Sequence, residues 1–177
     1  DQLRVIDWER PDTAVCLVVD RSGSMKGEAL ASASLASAAV ALRAPSSHAI
    51  VAFAGDVEVV RSMSTSAHQS VDGVVDAVLS LKGHGTTCVA KGLSAAITEH
   101  EHSRCGRHLT VLLSDCRDRS IDDAVQLALS LDELVIVAPA DDADDAQSFA
   151  DLVGAALITV DGPRDVARAL DELLSRR

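Results

Sequence analysis

Ala14-Val15-Cys16-Leu17-Val18-Val19-Asp20-Arg21-Ser22-Gly23-Ser24-Met25 decides the fold. Its first six residues are an unbroken apolar run, the pattern of a strand covered on both faces, as the inner strands of parallel sheets are. The run ends on a carboxylate followed by hydroxyls and a glycine, so a polar loop leaves the strand at its carboxyl end.

The same kind of run recurs along the chain at Ala49-Ile50-Val51-Ala52-Phe53, Leu109-Thr110-Val111-Leu112-Leu113, Leu134-Val135-Ile136-Val137 and Leu157-Ile158-Thr159-Val160. A shorter strand, Val57-Glu58-Val59-Val60, follows Ala54-Gly55-Asp56 so closely that the pair reads as a hairpin, which makes it an antiparallel edge strand. Helical patterns lie between the runs. Val71, Val74, Val75, Val78 and Leu79 share one helical face, as do Val89, Leu93, Ala96 and Ile97. Residues 28–42, rich in Ala and Ser, predict a helix that packs closely on the sheet. Ser120 is placed to cap a helix through Leu129, and Pro163 suits the first turn of a last helix carrying Val166, Leu170 and Leu173. Strands alternating with helices specify a doubly wound, mostly parallel six-stranded α/β sheet with about six helices on its two faces. Residues 1–13 read as a lead-in and residues 14–177 as one domain.

Composition narrows the function. Aromatic residues are 2% of the 177, with no Tyr and only Trp8, so stacking on nucleic-acid bases is not expected. A formal net charge of -11 repels nucleic acid and anionic membranes alike. No stretch approaches the ~20 apolar residues of a membrane span, and the charged amino end lacks the apolar run of a secretory signal. Cys16, Cys88, Cys105 and Cys116 form no CxxC pair, so reduced thiols and a cytoplasmic location are expected.

In open parallel sheets ligands bind beyond the carboxyl ends of the strands, where the strand order reverses. Three loops there can converge: Asp20-Arg21-Ser22-Gly23-Ser24, Gly83-His84-Gly85-Thr86-Thr87 and Ser114-Asp115. They offer carboxylate and hydroxyl oxygens, which suit a hard cation such as Mg²⁺, Mn²⁺ or Ca²⁺. Asp20, Ser22, Ser24 and Thr87 are the candidate ligands, with Asp115 reaching the ion directly or through water. A shell made mostly of neutral hydroxyls leaves cationic charge uncompensated, so a partner's Asp or Glu would complete it. The competing reading, in which Asp20, Ser22 and Ser24 only cap the next helix, accounts for one loop but not for all three.

At these residues the chain resembles the von Willebrand factor A domain family and its metal-ion-dependent adhesion site. The family's Asp-x-Ser-x-Ser matches Asp20, Ser22 and Ser24. Its distant Thr matches Thr87 better than Thr86, and its later Asp matches Asp115. The resemblance runs from about Ala14 to near the end of the chain. It implies a Rossmann-like fold, a bound divalent ion and protein recognition rather than catalysis. Two positions depart from the pattern: Thr86 and Cys116 stand where many members have Gly. The residues 18–25 are most similar to bacterial intracellular members that work beside MoxR-type or chelatase-type AAA+ ATPases, which implies such an ATPase or its client as partner.

Other chemistries fit less well. An Asp at a strand end is also the acceptor in some phosphotransfer and phosphatase domains, which makes Asp20 the candidate in that alternative. Ser22, however, stands where such phosphatases carry a second Asp, and no suitable Lys follows the later strands. Ser22-Gly23-Ser24 is not a nucleophile elbow, and His84 is expected to border the metal loop. His100, His102, Cys105 and His108 lie at the far end of the sheet from Asp20 and read as a solvated helix terminus rather than a zinc site. Asp141, Asp142, Asp144 and Asp145 lack the spacing and turn glycine of a calcium loop, and read as a solvated loop leading into a helix.

Overall fold

The computed structural model describes residues 13–23, 28–43, 47–65, 70–81 and 85–175. Of the expected lead-in only Thr13 falls within them, and it already belongs to the first strand. The strands are β1 (Thr13–Asp20), β2 (His48–Phe53), β3 (Val57–Arg61), β4 (Arg107–Leu113), β5 (Glu133–Pro139) and β6 (Ala156–Val160). The helices are α1 (Glu28–Arg43), α2 (Val71–Leu79), α3 (Val89–Glu101), α4 (Ile121–Leu129), α5 (Asp144–Val153) and α6 (Pro163–Ser175).

The sheet order is β3-β2-β1-β4-β5-β6. Five strands are parallel, and β3 alone runs antiparallel, against β2 at the edge. The chain moves outward from β1 through β2 to β3, then crosses back and continues outward from β4 to β6. The order therefore reverses between β1 and β4, which are hydrogen-bonded neighbours with Val19 opposite Leu113.

The unbroken apolar run of β1 has the expected cause. Ala14, Cys16 and Val18 face one core with α3, α4 and α5, while Val15, Leu17 and Val19 face the other with α1, α2 and α6. Both sets are removed from water, each large side chain contributing about 1.5–3 kcal/mol of transfer free energy. On α2 the apolar stripe is wider than the buried face: Val74 and Val78 are buried, whereas Leu79 at the helix end is about half exposed. The hydroxyl of Ser120 makes no cap to α4, although α4 begins where expected.

Helix α3 lies close against the sheet at Gly92. A methyl group there would lie 2.7 Å from Cδ1 of Phe53, 2.9 Å from its Cγ and 2.9 Å from Cγ1 of Val18. Ordinary carbon contacts are near ~3.5–4 Å, so α3 rests on β1 and β2 only because Gly92 has no side chain. Gly92→Ala gains about 1 kcal/mol in helix propensity but overpacks this contact, at a cost of about 1–3 kcal/mol. We expect a lowered urea midpoint; an unchanged or raised one would mean that α3 can lift off the sheet freely.

Candidate functional site

Asp20 is the last residue of β1, and Ser114-Asp115 directly follow β4, so the switch point brings them together. The Asp20 carboxylate is buried and holds its own loop. Its Oδ1 accepts the backbone N–H of Ser22 at 2.8 Å, and its Oδ2 accepts the Ser114 hydroxyl at 2.7 Å. The Ser114 Oγ in turn accepts the N–H of Cys116 at 2.9 Å, and Asp115 Oδ1 accepts the N–H of Arg117 at 3.1 Å. Burial pushes the Asp20 carboxyl above its usual range and the nearby Asp115 carboxylate adds to this, while hydrogen bonds from Ser114 and Ser22 offset part of it. Asp115 is buried as well. Among the described residues neither carboxylate is paired with a basic side chain.

The basic groups nearby are committed elsewhere. Arg21 Nη2 pairs with Asp56 Oδ1 at 2.7 Å, and Lys91 Nζ donates to the Gly55 carbonyl, so both hold the β2–β3 turn. Arg117 pairs with Asp142 at 2.5 Å across the loops that follow β4 and β5.

Thr87 stands two residues before α3 and is partly buried, whereas Thr86 is exposed. Among the described residues no hydrogen bond joins Thr87 to Asp20. The Thr87 loop is joined instead to the Asp115 loop through Asp118, whose Oδ2 accepts the N–H of Val89 at 2.7 Å. Ser24 and His84 lie outside the described residues. Ser114 and Asp118 are the two groups that residue-by-residue reading passed over. Ser114 had a visible signal, its place directly after a central strand. Asp118 had none, because its partner lies 29 positions away in sequence.

Cys116 takes a left-handed backbone, φ 57°, a conformation that favours Gly because a side chain crowds the carbonyl that follows. The departure from Gly noted in the sequence therefore falls on a strained position, held by the hydrogen bond from its N–H to Ser114. The thiol is buried, and burial first, then Asp115, Asp20 and Asp145, push it up to about 12. Cys16 is likewise buried and pushed upward, while Cys88 and Cys105 are partly exposed; all four are free.

The histidine cluster at the other end of the sheet differs from a solvated terminus. His100 is buried, its Nε2 3.0 Å from Thr110 Oγ1, and its ring stacks on His108 with centroids 4.9 Å apart. His108 Nδ1 meets Asp132 at 3.1 Å, while His102 is the exposed member and lies 3.9 Å from Glu99. His100 and His108 thus stack on each other while His102 stands apart, and among the described residues no three His, Cys, Asp or Glu side chains converge to ligate a metal. The acidic segment behaves as expected, with Asp144 opening α5.

A cleft of about 270 Å³ opens at the carboxyl ends of β5 and β6, lined among others by Val137, Asp141, Asp161 and Val166. It contains neither Asp20 nor Asp115. Among the described residues no helix is long and apolar enough to cross a membrane.

An open, doubly wound sheet with a buried acid at its switch point defines a Rossmann-like α/β class. Within that class the chain belongs to the von Willebrand factor type A domain family, whose model matches residues 15–120. Domains of this family are in general protein-interaction modules rather than catalysts. The chain is similar in structure to a von Willebrand factor type A protein from Catenulispora acidiphila (TM-score 0.75, 20% identity), covering 93% of this chain and 42% of that one. It is also similar to an aerotolerance-related membrane protein from Bacteroides fragilis NCTC 9343 (TM-score 0.70, 15% identity; 93% and 100% covered). A third similar structure is the PilB minor pilin from Streptococcus sanguinis, as a D319A mutant (TM-score 0.76, 11% identity; 96% and 62% covered). At these identities the likeness is one of fold. No curated protein matches the chain in sequence.

Two outcomes follow from the burial of these groups. Iodoacetamide at pH 8 should label Cys88 and Cys105 in the folded protein and spare Cys16 and Cys116, read by peptide mass spectrometry; early labelling of Cys116 would contradict its burial. Burial, then His108, push His100 down to about 4, with Asp132 and Glu99 opposing. Its folded value lies below the unfolded ~6.5, so the unfolded chain takes up a proton that the folded chain refuses. Stability should be unaffected by this group above pH 6.5 and fall as pH drops from 6.5 toward 4. Urea midpoints between pH 7 and 5 should fall in the parent and stay flatter in His100→Gln; parallel curves would remove His100 as the cause.

Proposed function

We propose that this domain recognises a protein partner through a divalent cation held by Asp20, Ser22, Ser24, Thr87 and Asp115. The observation that carries the reading is the pair of buried carboxylates, Asp20 and Asp115, close enough to repel, with Asp20 held by the Ser114 hydroxyl and neither paired with a basic side chain among the described residues. A buried negative charge is costly unless a cation compensates it. The donor set is oxygen only, which fits Mg²⁺ or Mn²⁺, and Ca²⁺ if the loops open to a larger shell. When bound, the ion would supply positive charge left over from a mostly neutral shell, to which a partner's Asp or Glu carboxylate binds. Ser114 keeps Asp20 turned toward the loop, and the Asp20 bond to the Ser22 N–H keeps the second loop residue beside it.

A MoxR-type AAA+ ATPase or its client is the partner that the motif's likeness to bacterial intracellular members supports. Four free cysteines, two of them deeply buried, support a reducing, cytoplasmic setting. The phosphotransfer alternative has less support. Lys91, the only Lys among the described residues, is turned to the Gly55 carbonyl and so is not placed beside Asp20.

The test is a calorimetric titration of chelator-treated protein with Mg²⁺ and Mn²⁺, beside Asp20→Ala. The parent should bind saturably, with a dissociation constant near or below 1 mM (about 4 kcal/mol), and the variant should not bind. At a metal concentration one hundred times the dissociation constant, the parent alone should gain about 2.7 kcal/mol. An ATPase of the MoxR kind should then bind the parent in Mg²⁺ but neither the parent in EDTA nor the variant. Equal binding by parent and variant would overturn the mechanism.

A further inference from the structure

Helix α3 begins without a cap of its own. Its N-cap residue, Cys88, makes no side-chain hydrogen bond, and its first turn contains no acidic residue. Helix starts leave N–H groups unpaired and carry partial positive charge, so an uncapped start is an unstable anchor for whatever precedes it. What precedes it is Thr87. The missing cap is supplied by Asp118, from the loop after β4. Its Oδ2 accepts the Val89 N–H at 2.7 Å, its Oδ1 accepts the Ser120 N–H at 2.8 Å, and its own N–H donates to the Cys116 carbonyl at 2.8 Å. One partly buried carboxylate thus fastens the start of α3 to the loop that carries Asp115.

We infer that Asp118 is a positioning residue for the cation site, setting the spacing between Thr87 and Asp115 before an ion arrives. This rests on the reading of those residues as ligands. No hydrogen bond joins Thr87 to Asp20 among the described residues; packing of α3 on β1 sets how high the helix lies, and Asp118 is the hydrogen-bonded tie from its first turn to the Asp115 loop. The distance between the two loops sets the size of the oxygen cage, and hard ions discriminate strongly on that size. Groups behind the ligands commonly change metal affinity by ~10–100-fold when removed.

The experiment measures Mn²⁺ affinity by calorimetry on the full chain for the parent, Asp118→Ala and Asp118→Asn. Two controls accompany them. Asp123→Asn removes the same charge from an exposed place on α4, and Ser94→Gly destabilises α3 from an exposed position without touching the tie or the sheet. Asp118→Ala should bind Mn²⁺ at least ~10-fold more weakly. Asp118→Asn keeps the size but loses the charge and one acceptor, and should fall between that variant and the parent. Both controls should stay within about twofold of the parent, because loss of helix stability alone leaves the affinity of the folded protein unchanged. Should Asp118→Ala fail to fold, the isosteric Asn variant decides the matter alone. Parent-like affinity in a folded Asp118 variant, or an equal loss in Ser94→Gly, overturns the positioning role while leaving the cation site standing. Absence of Mn²⁺ binding by the parent overturns the site and this inference with it.

Discussion

The hydrogen bond from the Ser114 hydroxyl to the Asp20 carboxylate joins the two strands between which the chain reverses its course across the sheet. The strand ladder ends one step earlier, at Val19 and Leu113. Beyond that step side chains have to replace the ladder, and this contact is the replacement. It turns Asp20 toward Ser22, fixes Ser114, and through Ser114 holds the N–H of Cys116 in a left-handed turn. The loop after β4 can then double back and present Asp118 to α3. Asp20, Ser22, Ser114, Cys116 and, through the Cys116 carbonyl, Asp118 are thus connected in one chain of hydrogen bonds.

Its surroundings explain why an acid rather than an amide stands there. A carboxylate accepts from two donors at once, and the two present here approach different oxygens. Burial opposes its ionisation, so the folded domain carries an unfavourable electrostatic contribution at this carboxylate. A site built this way is held ready at a small thermodynamic disadvantage, which binding a cation would relieve.

Much of the fold was legible because the parallel strands are covered on both faces. Double burial turns a strand into a continuous apolar run, and β1, β2, β4 and β5 could be found by that property alone. The edge strand β3, with Val57, Glu58 and Val59 exposed, was found instead from its short turn. Asp20, Ser22 and Asp115 were legible because loops at strand ends fall where a parallel sheet must place them. What was not legible depends on long-range contact. Nothing in the order of residues tells that Asp118 reaches Val89, that Gly92 lets α3 sink onto Phe53, or that His100 turns inward to Thr110 while His102 stays in water. Local pattern specifies which face a residue prefers, whereas these three outcomes depend on how far two elements approach.

The position of β1 has a mechanical side. It lies at the centre of the sheet with parallel partners on both edges, β2 and β4, and its last residue is the acid of the candidate site. A partner that gripped this end and pulled along the strand would load both ladders in shear, so that many hydrogen bonds resist together rather than parting one by one. The same pull applied to β3 would meet one ladder only, at the rim. Tension applied at Asp20 therefore enters the domain along its stiffest line.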